Sequence, residues 1–249
     1  MDLNEKSIYI GVYLLLNFIR KLSEDIVDHF PKQGMLYFFL GVDEPAYDIS
    51  HKIFFFNGDL SELRKTLPPE GKEEVCLGYR EFTSYQISFN TKICIPFESE
   101  VGEILVDKYE EAYHELCNSG DILWGQPETF SSNPKQDAYF CRNGLGKMMF
   151  NYYKSEEQIR NEAQEAKESG NTEYAQILQN EVLPLLIDYK KDIKRHNEGI
   201  ENWHLLLKLS SIDEVGMCWW DAGYLEFMID KDDLKNLNFD NTYANISSS

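Results

Sequence analysis

Basic charge is scarce in this chain. Its 249 residues carry 24 Lys and Arg against 43 Asp and Glu, a net charge of −19. That balance argues against nucleic acid, because phosphate binding needs a basic surface that releases counterions. It argues equally against an anionic membrane surface. Cysteines are few. Cys76, Cys94, Cys117, Cys141 and Cys218 are scattered, odd in number and never spaced as Cys-x-x-Cys. A disulfide framework or a structural zinc site would look different, so they read as buried free thiols in a reducing cytosol. The five histidines, His29, His51, His114, His196 and His204, form no pair at metal-ligand spacing. No Gly-x-Ser-x-Gly elbow occurs, and Asn143-Gly144-Leu145-Gly146-Lys147 is too short for a phosphate loop and lacks Ser or Thr after the lysine. No metal, cofactor or catalytic residue is therefore expected. The longest apolar run, Ile8–Ile19, is too short to span a bilayer. Asp2, Glu5 and Lys6 before it are not net positive, and no small-x-small cleavage site follows. It reads as a buried strand region of a cytoplasmic protein.

Apolar residues are plentiful, 43% of the chain, so a folded core is expected and a disordered acidic tail is excluded. The most informative pattern is an internal echo. Aligning Gly34 with Gly223 sets Leu36 on Leu225, Phe38 on Phe227, Leu40 on Ile229 and Asp43 on Asp232. In both copies large apolar residues alternate at period two after the glycine, as in a half-buried strand. In both, an apolar run precedes the glycine: Leu14–Leu22 and His204–Ile212. The pattern predicts one α+β domain over residues 1–249, with a largely antiparallel β-sheet. Its two pseudo-repeated halves would cover about 1–120 and 121–249, with a helical hairpin inserted at about 154–198.

Other elements follow from local signals. His51–Phe56 reads as a strand, then Asp59 as the cap of a short helix through Arg64 that Pro68-Pro69 stops. Val75–Tyr79 and Thr83–Pro96 read as strands, and Val101–Asn118 as a helix. Ile122–Gly146, rich in Gly, Pro, Asn and Ser, reads as an irregular connection. Ser155–Glu198 is helical with a break at Gly170-Asn171, and Pro184 should kink its second arm. Its apolar stripe is Ile177, Leu178, Val182, Leu185, Leu186, Tyr189 and Ile193. The polar tail after Phe239 is expected to fray.

The C-terminal stretch resembles a known signature. Trp203–Leu209 (WHLLLKL), an acidic loop, Gly216-Met217-Cys218-Trp219-Trp220-Asp221-Ala222-Gly223, a strand and Asp232-Asp233-Leu234 are similar to the YwqG-like family of bacterial proteins. Gly34–Phe39, Lys52–Phe56 with Gly58-Asp59-Leu60, and Gly125-Gln126-Pro127-Glu128 resemble other stretches of the same family. The chain departs from it at Trp220, where the family usually has glycine, and lacks its Gly/Pro-rich N-terminal segment. The resemblance implies an α+β fold with duplicated, largely antiparallel halves. It implies no reaction.

Two functional readings remain. Asp213, Glu214 and Asp221 fall on the loop between the last two apolar strands, beside Trp219 and Trp220, with Trp124 in the mid-chain turn. Carboxylates next to aromatics suit a small ligand or carbohydrate, and a carboxylate pair can hydrolyse if burial separates the two pKa values. The simpler account makes Asp221 a turn former and leaves Asp213 and Glu214 solvated. Adjacent Trp219 and Trp220 should face opposite sides if extended. The leading expectation is a non-catalytic intracellular interaction protein, immunity-like, that binds a basic partner by charge. Glu156, Glu157, Glu162, Glu165, Glu168 and Glu173 on the helical block are candidates for that surface.

Overall fold

The computed structural model describes residues 10–15, 30–31, 33–40, 47–64, 87, 104, 107–108, 120–127 and 132–248. The strands expected at Val75–Tyr79 and, apart from Ile87, at Thr83–Pro96 lie outside those residues. So does most of the Val101–Asn118 helix, of which Ile104, Asp107 and Lys108 are helical. The fold is mixed α+β and divides into two compact units. One is Met1–Pro134 with His204–Ser249; the other is Lys135–Trp203, inserted within it.

The first unit holds two sheets. Strands β1 (Ile10–Leu15), β2 (Met35–Leu40) and β3 (His51–Phe56) form an antiparallel sheet in that order. Strands β4 (Ile122–Gly125), β5 (Trp203–Ser210), β6 (Tyr224–Asp230) and β7 (Tyr243–Ser247) form the second, also in chain order. The period-two pattern does what it should on β2. Leu36, Phe38 and Leu40 are buried, while Tyr37 and Phe39 stack on the other face. Phe38 meets Phe227 of β6 edge-on at 5.2 Å, so the two sheets share one core. Two polar bonds reinforce that contact. His51 Nε2 lies 2.9 Å from Thr242 Oγ1, and the Ile49 N–H donates to the Ala244 carbonyl at 3.0 Å.

Both echoed glycines do the same steric job. Gly34 (φ +110°) precedes β2, and a Cβ there would lie 2.6 Å from the carbonyl oxygen of Phe56, the last residue of β3. Gly223 precedes β6, and its Cβ would lie 2.0 Å from the carbonyl oxygen of Ser247, the last residue of β7. Each glycine lets one strand start flush against the end of its neighbour. The turn after β3 is a single 3-10 turn, Leu60–Glu62, shorter than expected. Asp59 caps it by accepting from the Ser61 N–H at 2.8 Å, and the Ser61 N–H and hydroxyl hold the Asp59 carboxyl below its ordinary pKa.

Two expectations fail. Ile122–Gly146 is not an irregular connection: it contains β4 and a nine-residue helix, α1 (Pro134–Arg142). Pro134 sits at the helix start, where its missing N–H costs nothing, and Asp137 occupies the first turn. The breakers marked the boundaries of elements, not their absence. The tail does not fray either. Tyr243–Ser247 pairs with β6, and all five residues are buried.

The second unit is helical. Helix α2 (Glu156–Glu168) opens on a capping box, in which Ser155 Oγ accepts from the Gln158 N–H and Gln158 reaches back to the Ser155 N–H. Gly170 (φ +86°) and the Asn171 cap make the expected break before α3 (Thr172–Ile177). A π-helical turn, Leu178–Val182, then leads into α4 (Leu183–Lys191). Pro184 explains that turn, since its missing N–H and its ring displace the preceding bonding ladder. Of the expected stripe, Leu178, Val182, Leu186 and Tyr189 are buried, whereas Ile177 and Ile193 are exposed and Leu183 is buried in addition. Helix α5 (Ile193–Glu201) places buried His196 with Nδ1 2.8 Å from the Tyr139 hydroxyl. Burial, then the Arg195 charge, hold His196 below its usual pKa, with Asp192 opposing, and burial raises Tyr139. No helix among the described residues is long and apolar enough to cross a membrane.

Two outcomes follow. Gly223→Ala should cost about 1–3 kcal/mol in urea unfolding, because a backbone carbonyl blocks the methyl. A histidine held below its free pKa binds fewer protons folded than unfolded, so stability should fall as pH drops below 6.5. His196→Gln should flatten that part of a stability–pH curve.

Candidate functional site

The loop from Ser211 to Gly223 joins β5 to β6 and carries most of the sequence-selected residues. Its base is closed by two bonds to the Gly223 carbonyl, from the Ser211 N–H at 3.1 Å and the Ser211 hydroxyl at 3.0 Å. Its outer half is a tight turn in which Ile212 pairs with Met217, putting Asp213 and Glu214 at the exposed tip. Its inner half is a five-residue turn, closed by the Gly223 N–H on the Trp219 carbonyl at 2.8 Å. Within it Trp220 (φ +47°) and Ala222 (φ +57°) take left-handed backbone. That conformation is uncommon for a residue as bulky as tryptophan and has to be held in place by its surroundings.

The turn sorts the aromatics. Trp219 is buried in the shared core, its backbone N–H donating to Ser211 Oγ at 2.8 Å. Trp220 is 51% exposed. One indole is buried and the other exposed, as expected, but in a turn and not a strand. Trp124, in β4, is half-buried; it stacks on His204 at 4.9 Å and meets Phe30 edge-on at 5.6 Å. Of the three tryptophans only Trp220 presents an open face. Asp213, Glu214 and Asp221 are all exposed. The Asp221 carboxylate has no hydrogen-bond or ion-pair partner among the described residues, so it does not fix its own turn. Cys218 is exposed and Cys141 half-buried, against the expectation of buried thiols. The Cys218 thiol donates to the Trp220 carbonyl at 3.4 Å. Among the described residues no group of three or more His, Cys, Asp or Glu side chains could hold a metal ion.

Charge is divided unevenly between the units. Lys135–Trp203 has 10 Lys and Arg against 12 Asp and Glu, a net −2. The sheet-bearing unit has 14 against 31, a net −17. Two glutamates of α2, Glu156 and Glu162, have cationic partners. Lys154 and Tyr174 bond to Glu162 and lower its pKa, Glu156 pairs with Arg160, and Lys147 of the glycine-rich turn pairs with Glu181. The uncompensated charge lies on the unit that displays Trp220.

Two stacked antiparallel sheets, an inserted helical unit and an aromatic-acidic loop between paired strands define the class of this protein by its architecture. A family model described as a domain of unknown function, DUF1963, matches residues 15–247, and the chain belongs to that family. This agrees at family level with the resemblance drawn from the C-terminal signature. No curated protein matches the chain.

The two neighbouring tryptophans should separate cleanly by mutation. Trp219→Ala should cost about 3–5 kcal/mol of stability, as for other buried aromatics. Trp220→Ala should stay within about 0.5 kcal/mol of the parent. Chemical denaturation of both variants measures the difference.

Proposed function

We propose that this chain is a non-catalytic intracellular interaction protein that captures a basic protein through the Ser211–Gly223 loop. Immunity-like inhibition of a basic toxin is its sharpest form. The observation that carries the reading is Trp220, exposed on left-handed backbone beside Asp221, whose carboxylate has no partner among the described residues. Tryptophan is the residue type most enriched at binding hot spots, and a carboxylate rim selects cationic partners. The net −17 of the surrounding unit would speed encounter with such a partner. The α2 glutamates fit this role less well, because Lys154 and Tyr174 already engage Glu162 and Arg160 engages Glu156.

The small-ligand reading of the same residues loses support from the burial of Trp219 and the stacking of Trp124 on His204, which leave Trp220 as the one open aromatic face of the three. The matching positions of Gly34 and Gly223 support reading the two sheets as pseudo-repeated halves.

The reading predicts a one-to-one complex with one basic protein, isolated at low salt and released as salt rises. Trp220→Ala should weaken it by roughly 30-fold, near 2 kcal/mol, and Asp221→Asn should lower the association rate. Titration calorimetry and stopped-flow kinetics measure these. A complex indifferent to both substitutions and to salt sinks the proposal.

A further inference from the structure

In the helical unit the chain from Leu145 to Lys154 advances by three-residue turns. The N–H groups of Met148, Met149, Asn151 and Lys154 each donate to the carbonyl three residues back, at 2.7–3.1 Å. Side chains three apart eclipse in such a run and line up in rows, at a rise of roughly 2 Å per residue. Burial follows the rows. Met148 and Asn151 are buried, and so is Met149, whereas Lys147, Phe150 and Tyr153 are all exposed. Phe150 is 60% and Tyr153 70% exposed, more than any other large apolar side chain among the described residues.

A second pair adjoins this row. Tyr174 and Ile177, three apart on α3, are both exposed and are neighbours on its surface. Tyr153 and Tyr174 converge on one ion pair. Lys154 Nζ lies 2.6 Å from Glu162 Oε2 and 5.9 Å from the centre of the Tyr153 ring, and the Tyr174 hydroxyl donates to Glu162 Oε1 at 2.7 Å. At the other end of the row Lys147 pairs with Glu181, one turn beyond Ile177. The apolar strip is thus framed by balanced charge at both ends. Its four side chains offer roughly 400 Å² of exposed surface. Single exposed apolar residues need no explanation, but a contiguous patch of this size is often a functional one.

We infer that this strip is a two-fold interface between two copies of the chain. The occupant follows from charge and from the order of the row. A strongly basic or acidic partner meets little net field here, because the helical unit carries −2 of the chain's −19. Two copies meeting through their sheet-bearing units would set −17 against −17, so charge steers self-association to the helical unit. The row is also complementary to itself. Two copies laid antiparallel about an axis at Phe150 set Phe150 on Phe150, and the Lys147 ammonium of each on the Tyr153 ring of the other. The strip supplies about half of the roughly 800 Å² that each partner gives to an interface of standard size. It is therefore an apolar centre with Glu181 and the Lys154–Glu162 pair as its polar rim, and the dimer is a weak, reversible one. The strip lies on the helical unit and the Ser211–Gly223 loop on the other, so the inference does not rest on the protein-binding reading.

The test is sedimentation velocity on the full chain, from micromolar to millimolar concentration, at low and at high salt. The expected result is a reversible monomer–dimer equilibrium that tightens as salt rises, because screening relieves the repulsion between two chains of −19. A complex with a basic protein has the opposite salt response. Phe150→Glu sets two like charges on the axis and should abolish the dimer while leaving the circular dichroism spectrum unchanged. Tyr153→Ala should weaken dimerisation about tenfold. Ile193→Ala, at an exposed position outside the strip, should leave it as it is. A chain that stays monomeric throughout overturns the inference. So does a dimer that Phe150→Glu leaves intact, or one that dissociates as salt rises.

Discussion

The edge-on contact of Phe38 with Phe227 is the interaction on which the rest of the sheet-bearing unit depends. A sheet can bury only one face without help, and each of these sheets presents its apolar face to the other. An aromatic pair of this geometry is worth about 0.5–1.5 kcal/mol beyond its buried area. Its larger effect is registry. Once Phe38 and Phe227 meet, His51 falls beside Thr242 and Ile49 beside Ala244, and backbone and side-chain bonds then fix the angle between the layers. The Ser211–Gly223 loop inherits that rigidity, because Trp219 belongs to the same core.

The sequence was legible where pattern and chemistry coincided. His51–Phe56 is a strand over its full expected length, and the Ser155 box and the Gly170-Asn171 break fall where helix chemistry put them. Gly34 and Gly223 could be singled out from the alternation that follows each, although not the reason, which is the carbonyl each lies against. What failed was the inference from polarity to disorder. Asn245 and Ser247 made the tail look solvated, yet they are the polar-facing positions of a fully buried strand whose other face carries Ala244 and Ile246. Lys208 and Glu226 hid the same way inside otherwise apolar strands. A period-two reading assumes that polar means outward, and a sheet covered on both faces breaks that assumption.

The candidate loop was legible in composition and not in conformation. The carboxylates and tryptophans were visible as neighbours. Nothing in their spacing showed that a turn, closed by Gly223 on Trp219, would bury one indole and lift the other. That outcome depends on left-handed backbone at Trp220 and Ala222, which tertiary packing imposes against local preference. The division of charge was hidden for a similar reason. The glutamates of the helical block are conspicuous in sequence, but the lysines and arginines of the same unit bring its net charge to −2.

Gly125 of β4 pairs with Leu205 of β5 although the whole helical unit lies between them in the chain. Bringing two such distant strands together costs loop-closure entropy, which grows only with the logarithm of the intervening length. Each doubling of the intervening length adds only about 0.6 kcal/mol. The register of β4 on β5 is thus a long-range pairing, and residues added to the stretch between the two strands raise its closure cost only logarithmically.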